Sequence, residues 1–353
     1  MSQAPNRKHR ICVLTIWFGE LPPYFAGWLL SVRANSDIDF ILITDQDPSV
    51  DGGNVRVMHA ELPELLERFS RALGRSVSFS SPVKFCGLRP LYGAAFSDLL
   101  CGYDFWGYSD IDLAFGDIRA FLTDEVLDSY DRFYTRGHFC LYRNDDTTNH
   151  LYELSGSVYT LNDVAQGEYN YPFDEFCGIN RICLKNPDAV RWYTSDDFAD
   201  CNTRAPFIQV HLPHVNYVHQ LVWWEDGRVF KAGIADDGSV VVDEYVYFHW
   251  RHKFGADEQI RSGEAGGFFI TEQGLVEKQV PGVPTVKELM RPKEPIAQNT
   301  GAQRSGLRLG HKLASFARVP GRVKVVRAKE LMCALFDDNP PYNDYRHVVF
   351  PRK

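Results

Sequence analysis

Two long apolar runs near the start of the chain constrain its fold more than any other feature. Ile11-Cys12-Val13-Leu14-Thr15-Ile16-Trp17-Phe18-Gly19 and Ile38-Asp39-Phe40-Ile41-Leu42-Ile43-Thr44-Asp45 are rich in β-branched and aromatic residues with almost no polar alternation. Each reads as a strand buried on both faces, the pattern of a parallel sheet. Between them, Glu20-Leu21-Pro22-Pro23 cannot extend a strand, and Tyr24 to Ala34 carries Phe25, Trp28, Leu29 and Val32 at helical spacing. Strand, helix and strand make a right-handed crossover, whose ligands sit at the carboxyl ends of the strands, where Gly19 and Asp45 lie. No Gly-x-Gly-x-x-Gly opens the first helix and no Gly-Lys-Ser/Thr loop cradles a phosphate, so neither a classical dinucleotide fold nor a P-loop is supported. Val55 to Met58 reads as a third short strand and Leu62 to Leu73 as an amphipathic helix.

The sharpest chemical signal is Tyr103-Asp104-Phe105-Trp106-Gly107-Tyr108-Ser109-Asp110-Ile111-Asp112-Leu113, an aromatic run that ends in two carboxylates one residue apart. Strand alternation would put Asp110 and Asp112 on one face with Ile111 turned back into protein. Like charges that close repel, and a hard divalent cation relieves the repulsion while keeping positions open for the oxygens of a diphosphate. A polar strand end is the competing reading of the triplet alone.

The 353 residues, 44% hydrophobic and 14% aromatic, suffice for one large domain or two ordinary ones. No run approaches a bilayer-spanning length, and the first ten residues lack the apolar core of a signal peptide, so a cytoplasmic location is the default expectation. Eight scattered cysteines without a Cys-x-x-Cys pair read as reduced thiols. The net charge is −8, of which residues 301–353 hold +7 (eleven Lys and Arg against four Asp and Glu), leaving −15 for the first 300. That acidic body argues against nucleic-acid binding.

Other candidates follow in chain order. Lys84 and Arg89 place two cations ahead of an expected helix, Leu91 to Leu100. Phe133 to Asn144 reads as strand, bend and strand; His138 within it reads as hydrogen-bonded structure before it reads as a ligand. Tyr169 to Gly178 repeats the grammar of aromatics followed by acids, Asp174 and Glu175. A carboxylate held against apolar surface suits proton acceptance near neutral pH, although acids at a helix start are an alternative. From about 205 to 250 the pattern is β-rich, with hairpin turns at Asp226-Gly227 and Asp237-Gly238. Tyr245 to Phe254 is an aromatic strand ending in His249, Arg251, His252 and Lys253, able to offer one metal ligand and several cations. Rising Gly and Pro content marks 256–300 as a linker or extension. Arg304 to Lys329 carries eight cations before the first acid, Glu330, with apolar residues interleaved. Such a segment can lie on an anionic membrane surface or close over the acidic body as a solvated helix.

Together, Trp17-Phe18-Gly19, Ile43-Thr44-Asp45, Lys84 to Arg89, Trp106 to Asp112, Thr135-Arg136-Gly137-His138, Tyr142-Arg143-Asn144, Phe173-Asp174-Glu175 and Phe248-His249 resemble bacterial GT-A type glycosyltransferases. More narrowly, they are similar to an incompletely characterised group associated with polysaccharide biosynthesis. The resemblance covers about residues 10–255. It implies an α/β, Rossmann-like mixed sheet flanked by helices, forming a catalytic domain over 1–255; beyond it, composition and charge alone mark the linker or extension over 256–300 and the basic helical C-terminal segment over 301–353, for which contact with the inner membrane face is one of the two readings. It implies Mn²⁺ or Mg²⁺ held by Asp110, Asp112 and His249, with Asp112 the dominant carboxylate, and a nucleotide-diphosphate sugar as donor. Phe18, Gly19 and Asp45 match positions near the nucleotide, while Lys84 and Arg89 would face base or phosphate. Arg251, His252 or Lys253 would stabilise the leaving diphosphate. Asp174 or Glu175 matches the base of an inverting enzyme, a group that a retaining enzyme would not need. The acceptor implied is a glycan or lipid-linked glycan. Two other readings use the same residues: a metal-dependent phosphoester hydrolase, and a non-catalytic nucleotide- or glycan-binding protein.

Overall fold

A computed structural model describes residues 8–50, 52–167, 169–201, 215–250, 266–271, 274–290, 325 and 328–330. In chain order the strands are β1 (Ile11–Trp17), β2 (Ile38–Thr44), β3 (Val55–His59), β4 (Phe105–Ser109), β5 (Leu113–Phe115), β6 (Arg132–Phe133) and β7 (Phe139–Arg143). They continue with β8 (Trp192–Tyr193), β9 (Ala199–Asp200), β10 (Gln220–Glu225), β11 (Arg228–Ile234), β12 (Val240–Tyr245), β13 (Tyr247–His249), β14 (Gly267–Thr271) and β15 (Gly274–Glu277).

The fold is α/β, built on a mixed sheet of order β3-β2-β1-β4-β7-β6-β8. The two apolar runs form its centre: β1 pairs in parallel with β2 from Ile11↔Ile38 to Trp17↔Thr44, and with β4 from Ile11↔Phe105 to Leu14↔Tyr108. β7 then runs antiparallel to β4. Chain order proceeds outward from β1 to β2 and β3 on one side and resumes with β4 on the other. The carboxyl ends of β1 and β4 therefore flank the point where the winding reverses, the place where open α/β sheets leave a crevice. Gly107 sits where β4 meets β7, and a Cβ there would lie 2.4 Å from Leu141 Cδ2 and 2.6 Å from the Cys140 carbonyl oxygen.

The helices Phe25–Ala34 and Leu62–Leu73 form where the apolar spacing places them. The long helix expected over Leu91–Leu100 does not: short turns at Phe85–Leu88 and Arg89–Leu91 lead to one helical turn at Tyr92–Ala95. Phe96, at φ −117° and ψ 26°, ends that turn. At Gly93 a Cβ would meet Trp106 Nε1 at 2.7 Å, so this turn is pressed directly onto the sheet.

Two smaller sheets complete the body. One is antiparallel, of order β12-β11-β10-β14-β15, with Asp226-Gly227 turning between β10 and β11 at φ of 48° and 77° as the hairpin signal anticipates. Its strands β14 and β15 lie inside the stretch read as linker or extension, so the sheet continues past residue 255. Phe268 stacks on Trp224 with ring centroids 5.3 Å apart, and Leu275 packs against Gly27 of the first helix. Strands this short, interrupted by glycine, have too little sequence period to be told from a loop. The other sheet, β5-β13-β9, draws together segments from three distant parts of the chain. Most of the basic segment 301–353 lies outside the described residues; its Glu330 accepts a hydrogen bond from the Tyr159 hydroxyl at 2.8 Å.

Candidate functional site

The small sheet builds the site by register. β13 runs antiparallel to β5 with His249 opposite Leu113, and parallel to β9 with His249 opposite Asp200. The Trp250 amide donates to the Asp112 carbonyl at 3.2 Å, fixing the residue before β5 against the residue after β13. His249 is consequently held between two carboxylates, with Nε2 3.2 Å from Asp112 Oδ2 and Nδ1 3.0 Å from Asp200 Oδ1. Asp112 and Asp200 are both 0% exposed. Burial, the largest influence, pulls the imidazole's pKa down, yet Asp112 and Asp200 outweigh it and raise it to about 10. The two buried carboxylates thus favour the protonated ring.

Asp110, Asp112 and His249 offer donor atoms that all lie within 4.8 Å of one another, close enough to share one cation. Two carboxylates and an imidazole are a suitable set for a divalent metal, provided the imidazole gives up its proton. His138, Asp200 and His249 form an adjoining, wholly buried group whose donor atoms also lie within 4.8 Å of one another. The His138 and His249 ring centroids are 4.2 Å apart, and His138 Nδ1 is 2.9 Å from the Tyr247 hydroxyl.

Arg89 ties the first of the paired acids to the second acidic motif. Its guanidinium is paired through Nη2 with Asp110, while Nη1 donates to Asp174 Oδ2 at 3.0 Å and to the Gly137 carbonyl at 2.6 Å. Asp174 is buried, and desolvation raises its carboxyl to about 7, against the opposing pull of Arg89; neighbouring Glu175 and Asp110 add to the rise. Glu175, half-buried, accepts a hydrogen bond from the Gly137 amide at 2.9 Å. Gly137 has no room for a side chain, since a Cβ would stand 2.5 Å from Asp174 Oδ2.

The carboxyl ends of β1 and β2 meet through Gly19, whose amide donates to Asp45 Oδ1 at 2.8 Å in a turn with φ of 86°. The small burial of Asp45 would raise its pKa, but hydrogen bonds from the Gly19 amide and the Gln46 side chain hold it below the usual range. Phe18 stacks on Phe85 at 5.8 Å. Lys84 is turned into protein: its ammonium donates to the Tyr169 carbonyl at 2.9 Å and lies over the rings of Phe79 and Tyr171. Arg251, His252 and Lys253 lie outside the described residues.

Asp200 and Tyr24 escaped the sequence reading. Asp200 ends the apolar pair Phe198-Ala199, a brief repeat of the strand-then-acid pattern at Asp110, but nothing local connects it to His249. Tyr24 follows Pro22-Pro23. Its phenol is pushed above the usual range by burial and then by the charges of Asp112 and Asp110, and its ring meets Trp250 edge-on at 5.5 Å.

The described architecture is thus a mixed α/β fold with an acidic and histidine-bearing cluster beside the sheet's reversal point. The chain belongs to the group described as "Family of unknown function (DUF6625)", whose model matches residues 13–279 and so runs through the antiparallel sheet as well. No curated protein sequence matches it. Among solved structures, it is similar in part to mouse xyloside xylosyltransferase 1 in its apo form, 10% identical over 55% of this chain and 88% of that one, with a TM-score of 0.36. It is also similar to the apo glycosyltransferase GlyE of Streptococcus pneumoniae TIGR4, 12% identical over 53% of this chain and 46% of that one, TM-score 0.32. A third is the galactosyltransferase LgtC in complex with donor and acceptor sugar analogues, 11% identical over 54% of this chain and 75% of that one, TM-score 0.31. At such scores the likeness assigns no residue a role. Among the described residues, no helix is long and apolar enough to cross a membrane.

Proposed function

We propose that this protein is a metal-dependent glycosyltransferase that moves a sugar from a nucleotide-diphosphate donor to a hydroxyl of a surface-glycan or lipid-linked glycan acceptor. The observation that carries the reading is the convergence of Asp110, Asp112 and His249 donor atoms within 4.8 Å of one another beside the sheet's reversal point. Asp110, Asp112 and His249 would hold Mn²⁺ or Mg²⁺, the imidazole favouring Mn²⁺. When bound, such a cation supplies positive charge to the diphosphate as it departs.

The chain's own groups account for the rest of the reaction. Gly19 and Asp45 shape the crevice at the ends of β1 and β2, where the nucleoside would lie beside the half-buried Phe18 ring. Arg89 holds Asp110 and Asp174 in fixed relation, so the metal-holding and proton-accepting ends of the site are coupled through one guanidinium. In the inverting form of the reaction, Asp174 takes the proton of the acceptor hydroxyl as that oxygen bonds to sugar C1. The bond from C1 to the diphosphate oxygen breaks, and the nucleoside diphosphate leaves with its electron pair. A carboxyl raised to about 7 by burial is matched to that duty near neutral pH. Glu175, held on the Gly137 amide, is the alternative base.

The test is transfer and hydrolysis across a panel of nucleotide sugars with Mn²⁺ and with EDTA. Turnover that survives Asp110→Ala together with Asp112→Ala would remove the assignment.

A second reading has one observation in its favour. A phosphoester hydrolase calls for a dense His and Asp cluster, which the sequence does not display but which Asp110, Asp112, Asp200, His138 and His249 form in space. Adding simple phosphoesters to that panel separates the two: their metal-dependent hydrolysis to phosphate, with no sugar transferred to any acceptor, favours the hydrolase.

A further inference from the structure

Asp200 is a buried carboxylate that the proposed reaction does not use. It ends β9, and the parallel register of β9 with β13 sets it beside His249. Its Oδ1 is 3.0 Å from His249 Nδ1, while Nε2, across the ring, is 3.2 Å from Asp112 Oδ2. A neutral imidazole carries one proton. A carboxylate at Nδ1 keeps that proton on Nδ1 and leaves the lone pair of Nε2 directed at the side where Asp110 and Asp112 converge. The rest of the pocket restrains the same pair. His138 lies over His249 with ring centroids 4.2 Å apart, its Nε2 is 3.8 Å from Asp200 Oδ2, and its Nδ1 is 2.9 Å from the Tyr247 hydroxyl. Tyr247 and His249 are on the same strand, so this contact anchors His138 to the element that carries the proposed ligand.

We propose that Asp200 is the positioning residue of the metal centre: it fixes the tautomer and ring plane of His249 so that Nε2 is offered to the ion, with His138 packed behind it as a buttress. The inference rests on the reading of Asp110, Asp112 and His249 as metal ligands. It also decides between the two overlapping clusters, since it makes Asp200 and His138 supports and not ligands.

The experiment is a titration of the full chain with Mn²⁺ alone, followed by electron paramagnetic resonance, for the wild type, Asp200→Asn, His138→Gln and Asp112→Asn. An amide at position 200 can donate to Nδ1, which moves the ring proton to Nε2 and removes the lone pair from the ion. Asp200→Asn is expected to weaken Mn²⁺ binding about 10- to 100-fold, the effect usual for an outer carboxylate partner of a ligating histidine. Any Mn²⁺ that still binds should lose the nitrogen coupling seen in the wild type by pulsed resonance. His138→Gln should leave that coupling in place. Wild-type-like affinity and nitrogen coupling in Asp200→Asn would overturn the inference while the metal reading stands, provided Asp112→Asn abolishes binding. If Asp112→Asn binds normally, or the wild type takes up no Mn²⁺, the metal reading itself fails and the inference with it. The wild-type spectrum is a check that needs no variant to fold: coupling to two imidazoles would place the ion among His138, Asp200 and His249 and make Asp200 a ligand.

Discussion

Arg89 and Asp174, 85 residues apart in sequence, form a buried pair with Nη1 3.0 Å from Oδ2, and the same guanidinium is also paired with Asp110. One planar fork thus serves two carboxylates, a geometry that lysine's single ammonium cannot reproduce. Arg89→Ala leaves both acids without their shared partner inside the protein, and removing one member of a buried pair destabilises by about 3–5 kcal/mol. Arg89→Lys should recover only part of this. Urea unfolding of both variants checks the expectation; a midpoint equal to that of the wild type in Arg89→Ala would show that the pair contributes nothing.

Asp174 gives the proposed reaction a pH signature. Its carboxyl is raised to about 7 chiefly by burial, so the ionised form needed to accept a proton is depleted as pH falls through 7. kcat should therefore decline about tenfold per unit on the acid side of pH 7 and level off above it. The sign for stability is opposite. The folded protein retains a proton that the unfolded chain releases above about pH 4, so this group's contribution is complete at acid pH and is lost as pH rises through 7. Asp174→Asn should abolish turnover. If it keeps wild-type kcat with the acid limb intact, the limb belongs to another group.

Gly107 tests the packing that carries the acidic pair. Its added Cβ would stand 2.4 Å from Leu141 Cδ2, which can move, and 2.6 Å from the Cys140 carbonyl oxygen, which belongs to the neighbouring strand and cannot move alone. Gly107→Ala should lower stability by about 1–3 kcal/mol. Because β4 leads directly into Asp110, it should also reduce activity in protein that remains folded, measured at a temperature well below its melting point.

Legibility in the sequence followed the range of the interactions. β1 and β2 could be read because continuous burial writes an apolar run into one segment, and the Asp110-x-Asp112 pair because strand alternation is local. The partnership of His249 with Asp112, 137 residues away, could be expected only through the family resemblance, and that with Asp200, 49 residues away, not at all, since both depend on how β13 registers with β5 and β9. The helix expected at Leu91–Leu100 stops after Ala95, where Phe96 leaves helical geometry, and Gly93 presses the remaining turn against Trp106 of the sheet. Of the strands at 267–277, β14 pairs with β10 and packs on Trp224, partners more than 40 residues earlier, and β15 is held in turn by β14.

In the proposed transferase, the basic segment from Arg304 to Lys329 would give a route to a lipid-linked acceptor. Eight cations without an intervening acid, at about 1 kcal/mol each near an anionic surface, would suffice for reversible adsorption. The full chain should co-sediment with vesicles containing anionic lipid, and the bound fraction should fall as salt rises. Equal binding by a chain lacking residues 301–353 would refute the role of the segment.

Metal uptake should distinguish Asp112 from Asp110. Asp112 is wholly buried and bonded to His249, whereas the Asp110 side chain is 25% exposed and already paired with Arg89. Asp112→Asn therefore removes a donor from the enclosed end of the cluster, and Asp110→Asn removes one whose charge is partly spoken for. A ligand that binds only the folded state stabilises it by about 2.7 kcal/mol at a hundredfold excess over its dissociation constant. Mn²⁺ at that excess should raise the melting temperature of the wild type, EDTA should reverse the rise, and the rise should vanish in Asp112→Asn but persist in reduced form in Asp110→Asn. An undiminished Mn²⁺ shift in Asp112→Asn would place the ion elsewhere.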